Sequence, residues 1–297
     1  MHILVTGTEG QVAKALAERG PALGGRITAI GRPDLDLSRP ETILPALRQA
    51  APDVVVNAAA YTAVDQAETE PEAALAINGQ GAAAVAAAAA ALGLPVVHLS
   101  TDYVFDGTLD RPYRESDPES PLGAYGHSKL AGEKAVAAAT RDHAILRTAW
   151  VYSPFGKNFV RTMLRLAKDR DEVAVVADQK GSPTSALDIA DGVVTVARNL
   201  LERPSDDSLR GVFHMTGAGS TTWAGLATHV FEQSARLGGP SARVRPIATA
   251  EYPTPAKRPA NSTLDCTKLA AVHGARLPEW QSSVAACIRR LVENDRF

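Results

Sequence analysis

HILVTGTEGQVAKALAER, residues 2–19, carries three signals in succession. His2 to Thr6 is a short, continuous apolar run of the kind found in strands buried on both faces. It enters Gly7-Thr8-Glu9-Gly10-Gln11-Val12-Ala13, and a helical pattern follows from Val12 through Arg19. Glycines between a strand and a helix let the backbone come close to a pyrophosphate. The helix N-terminus adds free N–H groups and the positive end of a dipole. The spacing is GxxGxxA, and alanine in third place still lets the helix pack closely on the strand. A plain tight turn is the alternative, disfavoured by the strand–turn–helix context. Gly7, Gly10, Gln11 and Val12 are therefore candidate cofactor contacts.

Outward from that unit, the same alternation repeats. Strands are expected at 26–30, 53–59, 95–100 and 143–148, with helices over 66–76, 79–92 and 124–139. This predicts an α/β protein with a Rossmann-type, doubly wound parallel sheet. The second strand ends at Gly31-Arg32, where such folds meet the adenosine ribose. Arg32 could take a 2′-phosphate, which favours NADPH over NADH, or be a solvated surface charge. Asp36 and Leu37 could touch the adenine or lead into the next helix. Ala59, Ala60, Tyr61 and Thr62 follow the third strand, where small residues leave room for a cofactor across the sheet. Beyond residue 149 the pattern changes, with helix over 159–169, strand over 173–177, helix over 186–201 and strand over 211–215. We read residues 1–149 as a dinucleotide-binding domain to which about 185–215 return. Residues 150–184 and 216–297 form a smaller, sequence-discontinuous C-terminal substrate lobe.

Composition narrows the class. The 297 residues are 45% hydrophobic and 22% charged, with a net charge of −2, which makes no electrostatic case for nucleic acid or an anionic membrane. Cys266 and Cys287 lack metal-ligand spacing and read as buried thiols in a reducing compartment. The start MHILVTG lacks the pattern of a signal peptide, and the most apolar run, 82–94, is short for a membrane span. A cytoplasmic, soluble protein is expected.

The chemistry concentrates in LSTDYVFDGTLDRPYRESDPESPLGAYGHSKL, residues 99–130. Tyr125 and Lys129 stand four apart on a helix and share one face. An ammonium near a phenol lowers the phenol's pKa toward working pH, so Tyr125 is a candidate proton donor and Lys129 its partner. Chance placement on a solvated face is the alternative for that pair taken alone. Ser100 and Thr101 end a strand, where ligands of open α/β sheets bind. His98 lies inside that strand and reads as a core histidine.

These residues together resemble the extended short-chain dehydrogenase/reductase family, and within it the dTDP-4-dehydrorhamnose reductases. The matching segments include GTEGQVA (7–13), PDVVVNAAAYTAVDQAE (52–68), STDYVFDG (100–107), SPLGAYGHSKLAGE (120–133), RTAWVY (147–152), DQKGSPT (178–184) and YPTPAKRPANS (252–262). The resemblance implies an NAD(P)H-dependent oxidoreductase that reduces the C4 ketone of a dTDP-4-keto-6-deoxyhexose. Tyr125 would be the proton donor, Lys129 its partner and a nicotinamide-ribose ligand, and Thr101 the hydroxyl that polarises the ketone. Thr101, Asp102 and Trp150 would line the sugar pocket, with Asn158 a further substrate contact and Arg258 on the diphosphate. Trp150 as core and Arg258 as a solvated loop arginine are the alternatives. Some family members dimerise through a metal held by carboxylates, one on the first helix. Here that helix offers Glu18, with Ala15 at the expected ligand position, so no structural magnesium is expected and monomer or homodimer stays open. The competing functions are a dinucleotide-binding regulatory subunit like that of methionine adenosyltransferase, and a nucleotide-sugar epimerase or 4,6-dehydratase. Retained Thr101, Tyr125 and Lys129 favour an enzyme, and the absence of a Glu after Asp102 disfavours a dehydratase.

Overall fold

The computed structural model describes residues 1–294. β1 (His2–Thr6) leads into α1 (Gln11–Arg19), β2 (Arg26–Ile30), α2 (Ile43–Ala50) and β3 (Val54–Asn57). Two short helices, α3 (Val64–Ala67) and α4 (Pro71–Leu75), precede α5 (Ala82–Ala91), β4 (Val96–Thr101), α6 (Ala124–Ala139) and β5 (His143–Thr148). Next come β6 (Val151–Tyr152), α7 (Phe159–Leu166), β7 (Glu172–Val176), β8 (Lys180–Gly181), β9 (Thr184–Ser185) and α8 (Ala186–Glu202). The chain finishes with β10 (Gly211–His214), β11 (Thr221–Thr222), α9 (Trp223–Arg236), β12 (Arg243–Ile247), α10 (Thr267–His273) and α11 (Trp280–Glu293).

Six strands form one parallel sheet in the order β2-β1-β3-β4-β5-β10. Alternate residues of each strand serve opposite faces. Ile3, Val5, Val54, Val56, Val97, Leu99, Ala144 and Leu146 pack with α1 and α8. Leu4, Val55 and Val96 pack with α2 and α5 on the other side. Apolar residues on both faces are why these strands read as continuous hydrophobic runs. The strand order reverses between β1 and β3, and ligands of such sheets bind at the carboxyl ends flanking that reversal.

A second core gathers Tyr152, Val160, Leu164, Val173, Leu226, Phe231, Val284 and Ile288 from α7, α9, α11 and the strands beside them. The two halves are more interleaved than the sequence suggests. Leu269, Ala275 and Leu277 pack into the sheet's core, because β10 and α10 return the chain to that edge.

Two expectations about 66–92 need correction. The first helix ends at Ala67, and Ala76–Gly81 winds as a π-helix between α4 and α5. Gly79 and Gly81 let this turn approach its neighbours, since a Cβ at Gly81 would stand 2.7 Å from the Leu37 carbonyl oxygen. Helical winding is therefore continuous over Pro71–Ala91, 21 residues, which is long and apolar enough to cross a membrane. Half of an 18-residue stretch within it is buried inside the protein, where α4 and α5 pack on α6.

Candidate active site

The turn after β1 has the geometry a pyrophosphate requires. Gly7 adopts φ +86°, a region that favours glycine, and a Cβ there would lie 3.3 Å from the Ala59 Cβ. Its N–H donates to the Ile30 carbonyl at 2.6 Å. The Thr6 hydroxyl donates to Asn57 Oδ1 (2.8 Å) and accepts from the backbone N–H of Ala58 and Ala59, closing the floor between β1 and β3. Gly10 is the N-cap of α1, and no side chain caps it. A Cβ at Gly10 would meet nothing within 4 Å, so the helix N-terminus faces open space. Unsatisfied N–H groups beside open space fit a dinucleotide's phosphates.

Around this turn the expected contacts divide. Arg32 is exposed and, among the described residues, makes no hydrogen bond or ion pair. Asp36 accepts from the N–H (2.9 Å) and hydroxyl (2.7 Å) of Ser38, and those bonds hold its carboxyl below the usual range. Leu37 is buried against Gly81. Gln11 Oε1 accepts from Ser153 Oγ (2.7 Å) and Asn158 Nδ2 (3.0 Å), tying α1 to the loop before α7.

Thr101, Tyr125 and Lys129 converge where β4 meets α6. Tyr125 is partly buried and packs edge-on against Tyr103, ring centroids 5.6 Å apart. Burial pushes its phenol up to about 12; a hydrogen bond with Thr101 opposes the shift and the Asp102 charge adds to it. Lys129 is 3% exposed, and its Nζ donates to the Leu99 carbonyl at 2.7 Å. Burial pulls its ammonium down to about 8, against a raising contribution from Glu133. The expectation that Lys129 brings the phenol to working pH is thus corrected. Desolvation of Tyr125 dominates, and the ammonium is turned onto a backbone carbonyl. At neutral pH the phenol keeps its proton, the form a proton donor needs.

Several supporting residues went unnoticed in the sequence. Asn78, within the π-helix, accepts from Tyr61 N–H (2.8 Å) and donates to the Tyr61 carbonyl (3.0 Å) and Ser128 Oγ (2.9 Å). It thereby joins the Ala60–Thr62 turn to α6. Glu68 Oε1 accepts from Ala124 N–H at 2.9 Å and caps α6, whose N-cap is Gly123. Glu133 accepts from Ser100 and from Arg147, whose guanidinium is fully buried, also pairs with Glu119 and lies 5.1 Å from the Phe105 ring centre. Glu133 could have been found by its position four residues after Lys129. An asparagine inside an alanine-rich helix is the corresponding signal for Asn78.

On the lobe side, the expected substrate residues are engaged with the protein itself. Trp150 takes φ +46° and stacks on Trp223, centroids 3.5 Å apart, with Gly181 so close to its indole that a Cβ there would collide. Asn158 caps α7 through Oδ1, and its amide donates to Gln11, Ser153 and Phe155. Arg258 forms a two-pronged pair with Asp65 (3.0 and 2.8 Å), which holds that carboxyl below its usual range. Asp102 is 2% exposed, so it lies beneath the site and not on the pocket wall. Among the described residues, no cluster of three or more acidic, His or Cys side chains could hold a metal, and Glu18 is paired with Arg290.

Known proteins give the arrangement a context. The family profile described as RmlD substrate binding domain matches residues 1–293. The chain is 53% identical to a dTDP-4-dehydrorhamnose reductase of Sinorhizobium fredii over 293 residues, covering 98% of this chain and 97% of that protein. It is 43% identical to one of Escherichia coli K12, covering 98% of each. Among solved structures, a dTDP-4-dehydrorhamnose reductase of Bacillus anthracis in complex with NADP superposes with a TM-score of 0.89 at 33% identity, covering 97% of this chain and 99% of that one. A Clostridium acetobutylicum reductase of the same name gives 0.87 at 38% identity, covering 98% and 99%.

Proposed function

We propose that this chain, which belongs to the RmlD substrate binding domain family, reduces the C4 ketone of dTDP-4-dehydro-β-L-rhamnose to dTDP-L-rhamnose with NADPH. The observation that carries the reading is the convergence of Thr101, Tyr125 and Lys129 beside an open helix N-terminus, in a chain matched nearly end to end by reductases of that name. NADPH is preferred to NADH because Arg32 is exposed and, among the described residues, makes no hydrogen bond or ion pair, and because the Bacillus anthracis relative was solved with NADP.

Gly7, Gly10, Gln11 and Val12 would hold the pyrophosphate, and Arg32 the 2′-phosphate. Ala59 to Thr62 would lie along the nicotinamide side. When bound, the reduced cofactor supplies a hydride; the protein supplies position, charge and a proton. Tyr125 keeps its proton at neutral pH and delivers it to the ketone oxygen as negative charge develops there. The Thr101 hydroxyl hydrogen-bonds the same oxygen. Lys129, its ammonium held on the Leu99 carbonyl, would take the nicotinamide ribose, and Glu133 favours its charged form against burial. Arg258 would trade part of its bond to Asp65 for the substrate's diphosphate. The free thiols Cys266 and Cys287 accord with work in a reducing cytoplasm.

The test is NADPH oxidation in the presence of dTDP-4-dehydro-β-L-rhamnose, with the product identified by chromatography. Equimolar dTDP-L-rhamnose is expected. A protein that binds NADPH but reduces neither this sugar nor its D-gluco isomer would overturn the reading.

A further inference from the structure

Thr101 has a single proton to give, and both the Tyr125 phenol and the Asp102 carboxyl lie within its reach. Its Oγ1 donates to Asp102 Oδ1 at 3.0 Å and accepts from the Tyr103 N–H at 3.2 Å. A carboxylate only accepts hydrogen bonds, so an ionised Asp102 keeps the Thr101 proton turned away from any ligand. A ketone oxygen arriving beside Thr101 would then meet lone pairs. A carboxylic acid reverses the polarity: it donates to the Thr101 oxygen and leaves the Thr101 proton free.

We infer that Asp102 is a positioning residue which, by holding or releasing a proton, sets which way the Thr101 hydroxyl points and whether it can hydrogen-bond the substrate's carbonyl oxygen. The inference rests on the reductase reading above. Asp102 cannot perform this role by touching the sugar. It is 2% exposed, and among the described residues its buried Oδ2 has no hydrogen-bond partner.

An ionised carboxylate with one oxygen unsatisfied in a buried site is costly, which favours the acid form. Burial accordingly pushes Asp102 up to about 6, against the lowering influence of Ser262, Thr101 and nearby backbone N–H groups. The groups that face it come from three directions: Thr101 on β4, Tyr125 on α6, and Ser262 on the C-terminal segment. Tyr103 is its chain neighbour, with Arg258 close to that ring. Lys129, the cation on α6, is bonded to Leu99. Binding an anionic sugar nucleotide excludes water and adds negative charge, moving Asp102 further toward the acid.

Two measurements test this. Carboxyl-¹³C aspartate NMR of the wild type against Asp102→Asn, without substrate, isolates the Asp102 signal. Titration near 6, about two pH units above an ordinary aspartate, is expected, and an ordinary acidic titration overturns the inference. This arm needs no turnover, so it stands even where the substrate assignment fails. The second is the pH profile of kcat/KM, which reports the free enzyme, from about pH 5 to 7.5, below the midpoint of Lys129. The wild type should fall as Asp102 ionises, approaching about tenfold per pH unit. Asp102→Asn, whose amide donates at every pH, should flatten that fall whatever its absolute rate. Thr101→Val should flatten it too and serves if the Asn variant does not fold. A fall that persists in these variants, or is absent from the wild type, overturns the inference.

Discussion

The two sides of the cleft are built on different terms. On the sheet side, Thr101 ends a strand, while Tyr125 and Lys129 ride a 16-residue helix capped by Glu68 and braced by Asn78. Their positions are set by regular backbone and buried hydrogen bonds before any ligand arrives. On the lobe side, Trp150, Asn158 and Arg258 lie on loops and spend their bonding on Trp223, Gln11 and Asp65. The first side is preorganised for chemistry, whereas the second must exchange partners or act as scaffolding. Rigid elements hold catalytic geometry and loops adapt to the substrate.

The largest effect should come from the sheet side. Tyr125→Phe removes the proton donor and is expected to lower kcat by about 10²- to 10⁴-fold. NADPH affinity, read by fluorescence quenching, should survive; parallel loss of both would mean that the phenol holds the cofactor more than it serves the chemistry. Glu133→Ala strands the buried Arg147 guanidinium. Urea denaturation should show a loss of about 3–5 kcal/mol, the usual result of breaking one half of a buried pair. A near-neutral result would show that Glu119 alone satisfies Arg147.

Legibility followed the same division. Periodic burial made the β1–α1 unit, the parallel sheet and α6 readable, because strand and helix periods are imposed by which face meets the core. Thr101, Tyr125 and Lys129 were readable because their spacing on those elements fixes their direction. The pKa of Tyr125 was not, since spacing reveals proximity to Lys129 but not the desolvation that outweighs it. Asp65 with Arg258 and Gln11 with Asn158 are pairs far apart in sequence, joined only by the way the lobe folds over the sheet. The π-helix at Ala76–Gly81 was equally hidden, because alanine-rich sequence favours helix without specifying its winding.

The lobe side should answer more gently. Arg258→Ala is expected to raise KM for the sugar nucleotide about 10- to 100-fold, the value of a charge-assisted bond to phosphate. Asp65→Asn should lower KM, since it frees Arg258; a rise would show that the pair serves only to hold the loop. Smallest is Asn158→Ala, which removes the cap of α7 and should cost about 1 kcal/mol of stability with KM unmoved. A large KM change there would restore Asn158 as a substrate contact.

The most direct test of hydride delivery to C4 is a turnover with NADPH deuterated at the transferring position of the nicotinamide. One deuterium at C4 of the 6-deoxyhexose in dTDP-L-rhamnose is the result this account requires. NADPH consumption that leaves C4 unlabelled would contradict it.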